Sequence, residues 1–273
     1  MPIRFAIAYH EKNQAGNNIV QQFQKLAFTP QTPIIKLKKE TIFSENLNSK
    51  TFPEFKNIDL LVFASTHKSE KGNPSLCLHA PGNWRSADLG GQPGKICPTS
   101  AYVLKYLFQQ LNKNYEKDKK TLTKEYNITL EVTHHGPLTE IPCIFIELGS
   151  QEPEWLDENA AKIVAKTILS LQNFDKKNFV NTITAIGIGG PHYAPVFNKI
   201  QLNSNYAISH IIPQHALPIT PSMLQQAEEK TKEQIKEVLI DWKGCGKSEQ
   251  RQQVINTIED LGLTYKRTTN IEK

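Results

Sequence analysis

The chain has 273 residues and a mass of 30.9 kDa, enough for one large domain or two small ones with a full hydrophobic core. Apolar residues make up 38% and charged residues 22%, and the 14 glycines and 16 prolines are dispersed, which excludes disordered, collagen-like and coiled-coil classes. The net charge is 32 minus 27, or +5, and it is unevenly distributed. Residues 125–161 contain no Lys or Arg but hold eight acids: Glu125, Glu131, Glu140, Glu147, Glu152, Glu154, Asp157 and Glu158. The rest of the chain therefore carries 32 bases against 19 acids, or +13.

Composition also indicates the compartment. No apolar run approaches the ~20 residues that cross a bilayer, and the N-terminus, Met1-Pro2-Ile3-Arg4, does not start an export signal. We therefore expect a soluble, cytoplasmic protein with no membrane partner. Four cysteines lie at wide intervals without a C-x-x-C pair, which predicts reduced thiols rather than a metal or redox motif: Cys77, Cys97, Cys143 and Cys245.

The first third of the chain predicts strands, one helix and a long loop. Apolar, β-branched residues at 3–9 predict a strand, and the helical spacing of apolar residues at 16–26 predicts a helix after it. Residues 34–37 and 58–65 predict two further strands, the second one buried on both faces. Residues 66–98 are so rich in Gly and Pro that we expect a loop, and loops of this length are commonly functional.

The elements that follow alternate in the same way. Thr99 is expected to cap a helix whose apolar stripe ends at Leu111, and a lysine-rich surface segment follows at 112–124. Strands are predicted at 127–133, 141–148, 182–188 and 206–212. Helices are predicted to start near Pro153 and Pro221 and to cover 248–261, while the periodicity of 238–242 leaves helix and strand open. Strands that alternate with helices predict an α/β fold, a three-layer α/β/α sandwich with a mostly parallel or mixed sheet. Since no repeat or linker is visible, residues 1–273 are expected to form a single domain.

Histidines are concentrated beside the predicted strand ends. Five of them follow a predicted strand: His67, His134, His135, His192 and His215. His79 lies in the long loop 66–98, and His210 lies inside the predicted strand at 206–212. Ligands of open α/β sheets gather beyond the carboxyl ends of strands, so parallel neighbours would bring several imidazoles to one edge near Glu147. A single loop histidine is more often a structural residue, so the group carries the prediction rather than any one member.

Three motifs bear on chemistry. The turn GIGGPHY at 187–193 lets a substrate approach the backbone closely beside His192, although a plain tight turn explains its glycines equally well. The loop 72–84 mixes polar groups with an aromatic residue, as a binding wall does. GCGKS at 244–248 resembles a phosphate-binding loop but has Asp241 where that motif needs Gly, which excludes nucleotide hydrolysis.

Imidazole and carboxylate groups are good zinc ligands, so His67, His79 and Glu147 are candidates for a metal site. The spacing alone is weak support, because there is no H-E-x-x-H motif. The adjacent His134 and His135 would point to opposite faces if the preceding strand continued through them.

Seven blocks in order along the chain form a recognisable set: STHKSE at 65–70, PSLCLHAPGNW at 74–84, GGQP at 90–93, IELGS at 146–150, GIGGPHY at 187–193, HIIPQHAL at 210–217 and DWKG at 241–244. Together they resemble the archaeal and plant type of D-aminoacyl-tRNA deacylase. The resemblance implies an α/β/α fold similar to phosphorylases and peptidyl-tRNA hydrolases, and an esterase that frees D-amino acids from tRNA. It also implies Zn²⁺ as the cofactor and tRNA charged with D-amino acids as the partner, and we expect a monomer.

Under this resemblance the candidate catalytic residues are His67, His79, Glu147 and His192. We expect His67, His79 and Glu147 to hold the metal or a water, and His192 to act as acid or base. The candidate substrate-binding residues are Asn83, Gly189, Gly190, Tyr193, His210 and His215, with the amides of the two glycines near the oxyanion. The tRNA phosphates are expected to contact exposed cations, namely Lys36, Lys38, Lys39, the lysines of 113–124, Lys243, Lys247 and Arg251.

Three other interpretations stay open at this point. A nucleoside phosphorylase-like role would share the fold and is not excluded by composition. A zinc-dependent amidase or peptidase on small substrates predicts activity without tRNA. A non-catalytic RNA-binding protein predicts binding without turnover, and it is supported by the basic surface but opposed by the lack of any aromatic-interleaved RNA-binding motif.

Overall fold

A computed structural model gives the structure of residues 3–26 and 32–271; Met1 and Pro2, with which the sequence interpretation of the N-terminus began, lie outside these ranges. The strands form two sheets. The first has six strands in the order β2-β1-β3-β6-β4-β5: β1 Phe5–His10, β2 Ile34–Leu37, β3 Leu60–Thr66, β4 Ser75–His79, β5 Asn127–Leu130 and β6 Cys143–Gly149. The second has four strands in the order β10-β9-β7-β8: β7 Ile183–Ile188, β8 Tyr206–Ile212, β9 Glu237–Ile240 and β10 Tyr265–Arg267.

Seven α-helices surround these sheets in the described part of the chain: α1 Gln14–Lys25, α2 Ala101–Asp118, α3 Glu152–Trp155, α4 Glu158–Leu169, α5 Pro195–Asn203, α6 Pro221–Glu229 and α7 Ser248–Asp260. Every strand pairing in the two sheets is parallel except that of β4 with β6. The predicted α/β class with a mostly parallel or mixed sheet is confirmed, with the strands divided between two sheets. None of these helices is both long and apolar enough to cross a bilayer.

The two faces of the six-stranded sheet are covered differently. Side chains alternate along a strand, so Val62 and Ile146 face helices α1, α2 and α4 across the main hydrophobic core. Phe63 and Phe145 point to the opposite face and stack with their ring centroids 4.5 Å apart. That face is covered by irregular segments rather than by long helices, and the polar cluster described below lies on it.

The four-stranded sheet has helices α6 and α7 on one face and α5 on the other. Contacts at several points join it to the rest of the molecule. The Trp84 indole donates a hydrogen bond of 3.1 Å to the Ile211 carbonyl in β8. Lys105 in α2 donates from Nζ to the carbonyls of Gln201 and Ser204 at the end of α5.

Several predicted elements need correction. The predicted loop 66–98 contains strand β4, because all five of its residues are buried between β5 and β6 and their pairing outweighs the flanking glycines and prolines. Ser100, not Thr99, caps α2 by accepting from Val103 N, while the Thr99 hydroxyl donates to the Cys143 carbonyl. The ambiguous segment 238–242 is largely strand β9, and the predicted helix at Pro153 is split into α3 and α4 by the Asp157 cap. Helix α5 and strand β10 lack a counterpart in the sequence predictions.

Candidate active site

Polar side chains replace apolar ones along part of the face that Phe63 and Phe145 share. The alternation of side chains places on this one face a row contributed by four neighbouring strands and the residues that follow them: Ser65, His67, Cys77, His79, Thr129, Glu131 and Glu147. Most of these side chains are almost completely buried, among them His67 at 4% exposure and His79 at 1%. The site therefore lies on the sheet face and not simply beyond the carboxyl edge.

The register of the sheet explains why Glu147 meets two histidines. Glu147 pairs with Ser65 in β3 and with Cys77 in β4, so His67 and His79 occupy the diagonal positions on either side of it. Diagonal neighbours are within reach of long side chains. His67 Nδ1 lies 3.7 Å and His79 Nε2 lies 3.9 Å from Glu147 Oε2.

Glu131 extends the row just beyond the end of β5 and provides the second carboxylate. Its Oε1 is 2.9 Å from His192 Nε2 and 3.4 Å from His67 Nδ1, and its Oε2 is 4.0 Å from His79 Nε2. His192 comes from the turn after β7, and its carbonyl accepts from Val132 N at 3.0 Å. The Tyr193 hydroxyl reaches His67 Nε2 at 3.1 Å. The second sheet thus contributes residues to a site on the first.

His134 and His135 lie over the same row because the chain turns sharply there. The strand ends before them, and His135 has a left-handed φ of +46°, so both rings project into one cluster, with centroids 4.3 Å apart. His135 Nε2 is 3.7 Å from Glu147 Oε1. The two rings were expected on opposite faces only if the preceding strand continued through them, and β5 ends at Leu130.

Backbone carbonyls fix which ring nitrogen carries the proton in three of these histidines. His134 Nδ1 is 2.8 Å from the Val132 carbonyl, His135 Nδ1 is 2.6 Å from the Gly136 carbonyl, and His79 Nδ1 is 3.3 Å from the Ala80 carbonyl. A carbonyl only accepts, so Nδ1 must donate in each case. In the neutral form of each ring the lone pair is therefore on Nε2, where it is available to a metal ion.

The cluster fits a metal ion. One ring nitrogen from each of His79, His134 and His135 lies within 4.8 Å of the others, and so do ligand atoms of His79, Glu131 and Glu147. His79 Nε2 and Glu131 Oε2 are buried and have no hydrogen-bond partner among the described residues. Buried polar atoms without partners are rare, and a bound ion satisfies them.

The electrostatics of the site favour the same chemistry. Burial opposes the charge of Glu147, but the imidazoles of His135, His67 and His79 outweigh it and hold its pKa well below the usual value. Burial and the adjacent imidazoles lower the pKa of His134 well below 6.5, and burial with His135 lowers that of His79. Neutral imidazoles beside an ionised carboxylate are the protonation states in which these groups bind a cation.

His67 differs from the other buried histidines. Burial alone would lower its pKa, but Glu147 and Glu131 outweigh this and raise the pKa of His67. Its Nδ1 faces the two carboxylates and its Nε2 faces the Tyr193 hydroxyl.

The structure brings together His67, His79, Glu147, His192 and Tyr193, which the sequence named as catalytic or substrate-binding. It does not bring His210 and His215 to this cluster. His210 is fully buried, where Nδ1 lies 3.2 Å from the Thr133 hydroxyl, and burial lowers its pKa to about 4. His215 is exposed, and its pKa is lowered by partial burial and by the charge of His192. Their roles in binding substrate stay predictions.

The other predicted substrate-binding groups already have backbone partners. The amide of Gly189 donates to the Ile212 carbonyl at 2.8 Å and that of Gly190 donates to the Gly244 carbonyl at 3.2 Å. An amide that donates to a carbonyl is not free for an oxyanion, so the expectation of an oxyanion site there is not supported. The Asn83 amide nitrogen donates to the Gly90 carbonyl at 2.8 Å, which holds the loop 82–91 closed.

Glu131, His134 and His135 are missing from the candidate catalytic and substrate-binding residues, although the two histidines belong to the group expected near the strand ends. In the sequence Glu131 was only one of eight acids. Its position two residues after Thr129 would have placed it on the polar face, once the register of β5 was known. The His134-His135 pair was visible as a motif, but its meaning depended on where β5 ends.

The fold and the site together define an α/β protein with the buried imidazole and carboxylate cluster of an enzyme. The family model described as D-aminoacyl-tRNA deacylase matches residues 54–266. The D-aminoacyl-tRNA deacylase of Methanocaldococcus jannaschii is 31% identical over 271 residues, which cover 97% of this chain and 100% of that protein. That of Thermococcus kodakarensis is 36% identical over 209 residues, covering 76% of this chain and 73% of that protein. This chain belongs to the D-aminoacyl-tRNA deacylase family, which confirms the predicted resemblance.

A crystal structure of a conserved protein of unknown function has the same fold. It is 25% identical and superposes with a TM-score of 0.87 over 98% of this chain and 96% of that one.

Proposed function

We propose that this protein is a D-aminoacyl-tRNA deacylase that hydrolyses the ester bond between a D-amino acid and tRNA. The observation that carries the proposal is the convergence of imidazoles and carboxylates on one buried sheet face of a chain in this family. The reaction belongs in the cytoplasm, and the four buried free cysteines suit that reducing compartment. We expect the active form to be the monomer.

Ester hydrolysis needs an activated water, stabilisation of the oxyanion and a proton for the ribose hydroxyl that leaves. We assign the proton transfer to His192, whose side chain is 40% exposed and therefore open to a substrate. Its Nε2 is held by Glu131, which orients the ring and leaves Nδ1 for proton transfer, as a carboxylate does in catalytic triads. The Tyr193 hydroxyl beside His67 is a donor suited to a developing negative charge.

We propose Zn²⁺ as the cofactor. Of the predicted ligands, His79 and Glu147 face the centre of the cluster, and the geometry adds His134 and His135 to them. His67 of the predicted set offers a ligand atom within 4.8 Å of those of Cys77 and Glu131, and its ring also contacts Glu147 and Tyr193. When bound, zinc supplies Lewis acidity and lowers the pKa of a coordinated water.

The test compares D-tyrosyl-tRNA and L-tyrosyl-tRNA as substrates of the purified protein, with and without a chelator, by the tyrosine released. We expect release from the D ester only, loss of activity after chelation and recovery with Zn²⁺. Turnover of small amides without tRNA would favour the amidase instead, and tRNA binding without release of tyrosine would favour the non-catalytic protein.

A further inference from the structure

A basic groove lies at the carboxyl ends of β1 and β2. The cavity has a volume of about 680 Å³, within the range of ~300–1,000 Å³ that ligand pockets span. Four lysines line it, together with the ring of Phe43: Lys12, Lys36, Lys38 and Lys39. We call these five residues and the cavity between them the β1–β2 groove.

Three of the four lysines are available to a ligand. Lys36 is 2.9 Å from Glu11, which neutralises it. The other three, Lys12, Lys38 and Lys39, are exposed and have no ion pair within 3–26 and 32–271. The remaining acid of the groove, Glu40, already contacts His10 at 3.1 Å and the Asn13 amide at 3.1 Å. The groove therefore carries four lysines against two acids, a formal charge of +2.

Phe43 gives the groove an aromatic surface. It ends a short 3₁₀ turn, Thr41–Phe43, and it is 44% exposed, although most large apolar residues are buried. Exposed aromatic rings beside lysines are the combination by which proteins hold single-stranded nucleic acid, since phosphates contact the cations and an unpaired base stacks on the ring.

The groove adjoins the active site. The 3₁₀ turn that carries Phe43 packs against the residue after His135, since a Cβ on Gly136 would lie only 2.4 Å from the Ile42 carbonyl oxygen. Within the same wall, the Thr41 hydroxyl lies 3.0 Å from that of Ser65, and the Thr66 hydroxyl donates to Asn13 at 2.7 Å. The turn that forms part of the groove therefore contacts Gly136 and Ser65, which are the neighbours in sequence of His135 and near neighbours of His67.

We propose that the β1–β2 groove binds the single-stranded 3′ end of the tRNA, with phosphates on Lys12, Lys38 and Lys39 and a base stacked on Phe43. The proposal rests on the proposed function for the identity of its occupant. A paired stem does not fit the same description, because its bases are already stacked on each other and leave none for the ring.

The first experiment measures kcat/KM for two substrates that differ only in RNA: D-tyrosyl-tRNA and D-tyrosyl-adenosine, which has no phosphate. The variant is K38A/K39A, and the matched control is K176A/K177A, which removes an exposed lysine pair from the 3₁₀ segment before β7. We expect the loss in K38A/K39A to be at least about tenfold larger for D-tyrosyl-tRNA than for D-tyrosyl-adenosine. The dependence of log kcat/KM on log salt should flatten by about 0.7 for each phosphate contact removed.

The second experiment measures binding without turnover. A short single-stranded RNA ending in CCA is compared with a blunt duplex of the same sequence by fluorescence anisotropy. We expect F43L to weaken binding of the single strand about tenfold and F43W to retain it, because tryptophan still stacks and leucine does not.

The outcomes separate the two proposals. A wild-type protein that releases no D-tyrosine contradicts the proposed function, whereas the RNA-binding experiment still tests the groove. An active wild type with equal effects in K38A/K39A and K176A/K177A overturns the groove alone. Equal binding of duplex and single strand, or equal binding by F43L and F43W, also overturns it.

Discussion

Glu131 is the residue whose two oxygens contact different parts of the site. Oε1 holds His192 at 2.9 Å, and Oε2 is buried without a hydrogen-bond partner among the described residues, 4.0 Å from His79. A glutamine at this position has one acceptor and one donor, so it cannot present an acceptor to both. We predict that E131Q lowers kcat for D-tyrosyl-tRNA by about 100-fold or more, the size of an acid–base contribution.

The control for E131Q is E140Q, which removes a charge from the same acidic stretch. Glu140 is 80% exposed and pairs with Lys230 at the surface, so E140Q should keep the wild-type kcat. Equal activity of E131Q and the wild type, with folding verified by circular dichroism, would remove Glu131 from the mechanism.

At the scale of elements, helix α5 fixes the distance between the two sheets at the site. Asn198 Oδ1 accepts from Leu130 N at 2.7 Å, and its Nδ2 donates to the Thr129 hydroxyl at 2.7 Å and the Tyr193 carbonyl at 3.0 Å. One side chain therefore joins the strand before Glu131 to the turn that carries His192. Asn198 is a positioning residue in this arrangement, since it contacts none of the cluster's ring or carboxylate atoms in the contacts described above.

We predict that N198A lowers kcat for D-tyrosyl-tRNA by about tenfold, because small displacements of catalytic groups are costly. The matched control is Q201A, one turn further along α5. Gln201 bridges the Ile208 backbone in the same manner, accepting at 2.8 Å and donating at 3.3 Å, but away from the site. Both variants should lower the melting temperature, and only N198A should lower kcat. Parallel losses of kcat in the two variants would show that Asn198 acts through stability alone.

Elements with strong local signals could be predicted from the sequence. The strand β8 has the predicted bounds because seven consecutive buried residues are unlike any surface segment. Strand β4 was missed because its burial comes from pairing with β5 and β6, which are more than 45 residues away along the chain. Helix α5 was missed because only Phe197, Ile200 and Gln201 are buried in it, which is too short a stripe for periodicity to reveal.

The site shows the same division between local and distant information. The sequence identified His67, His79, Glu147 and His192 as a group because each occurs near a predicted strand end or in the loop beside one. It could not identify the contribution of Glu131, since that depends on register across strands. The positive φ of His135 turns two adjacent rings to one side, and the residue after it, Gly136, packs closely against Ile42 and Gly91, which are distant along the chain. Neither feature is visible in the sequence.

At the scale of the whole molecule, the acidic and basic parts of the sequence contribute to different parts of the structure. The acidic stretch 125–161 supplies both buried carboxylates of the site, Glu131 and Glu147. The basic remainder supplies the lysines of the β1–β2 groove. A cluster with two buried carboxylates and a groove lined by lysines therefore lie side by side, which suits the proposed substrate, whose reactive ester follows a phosphate chain.

The two sheets are also joined by a buried charge far from the site. Lys105 of α2 is 5% exposed, and its Nζ donates to the Gln201 and Ser204 carbonyls at 2.6 and 2.8 Å. Burial lowers the pKa of Lys105 to about 8 from 10.5. Between these two values the unfolded chain binds more protons than the folded one, so the contribution of Lys105 to the free energy of unfolding rises with pH in this window.

We predict that this contribution increases by about 2 kcal/mol between pH 7.5 and pH 10. It is isolated by urea unfolding of the wild type and K105M at the two pH values, because every other titratable group is common to both proteins. K162M, which removes an exposed lysine of α4, should change with pH as the wild type does. K105M should lose this increase in the free energy of unfolding. If that free energy rose equally with pH in K105M and K162M, the pKa of Lys105 would not be lowered by its burial between α2 and α5.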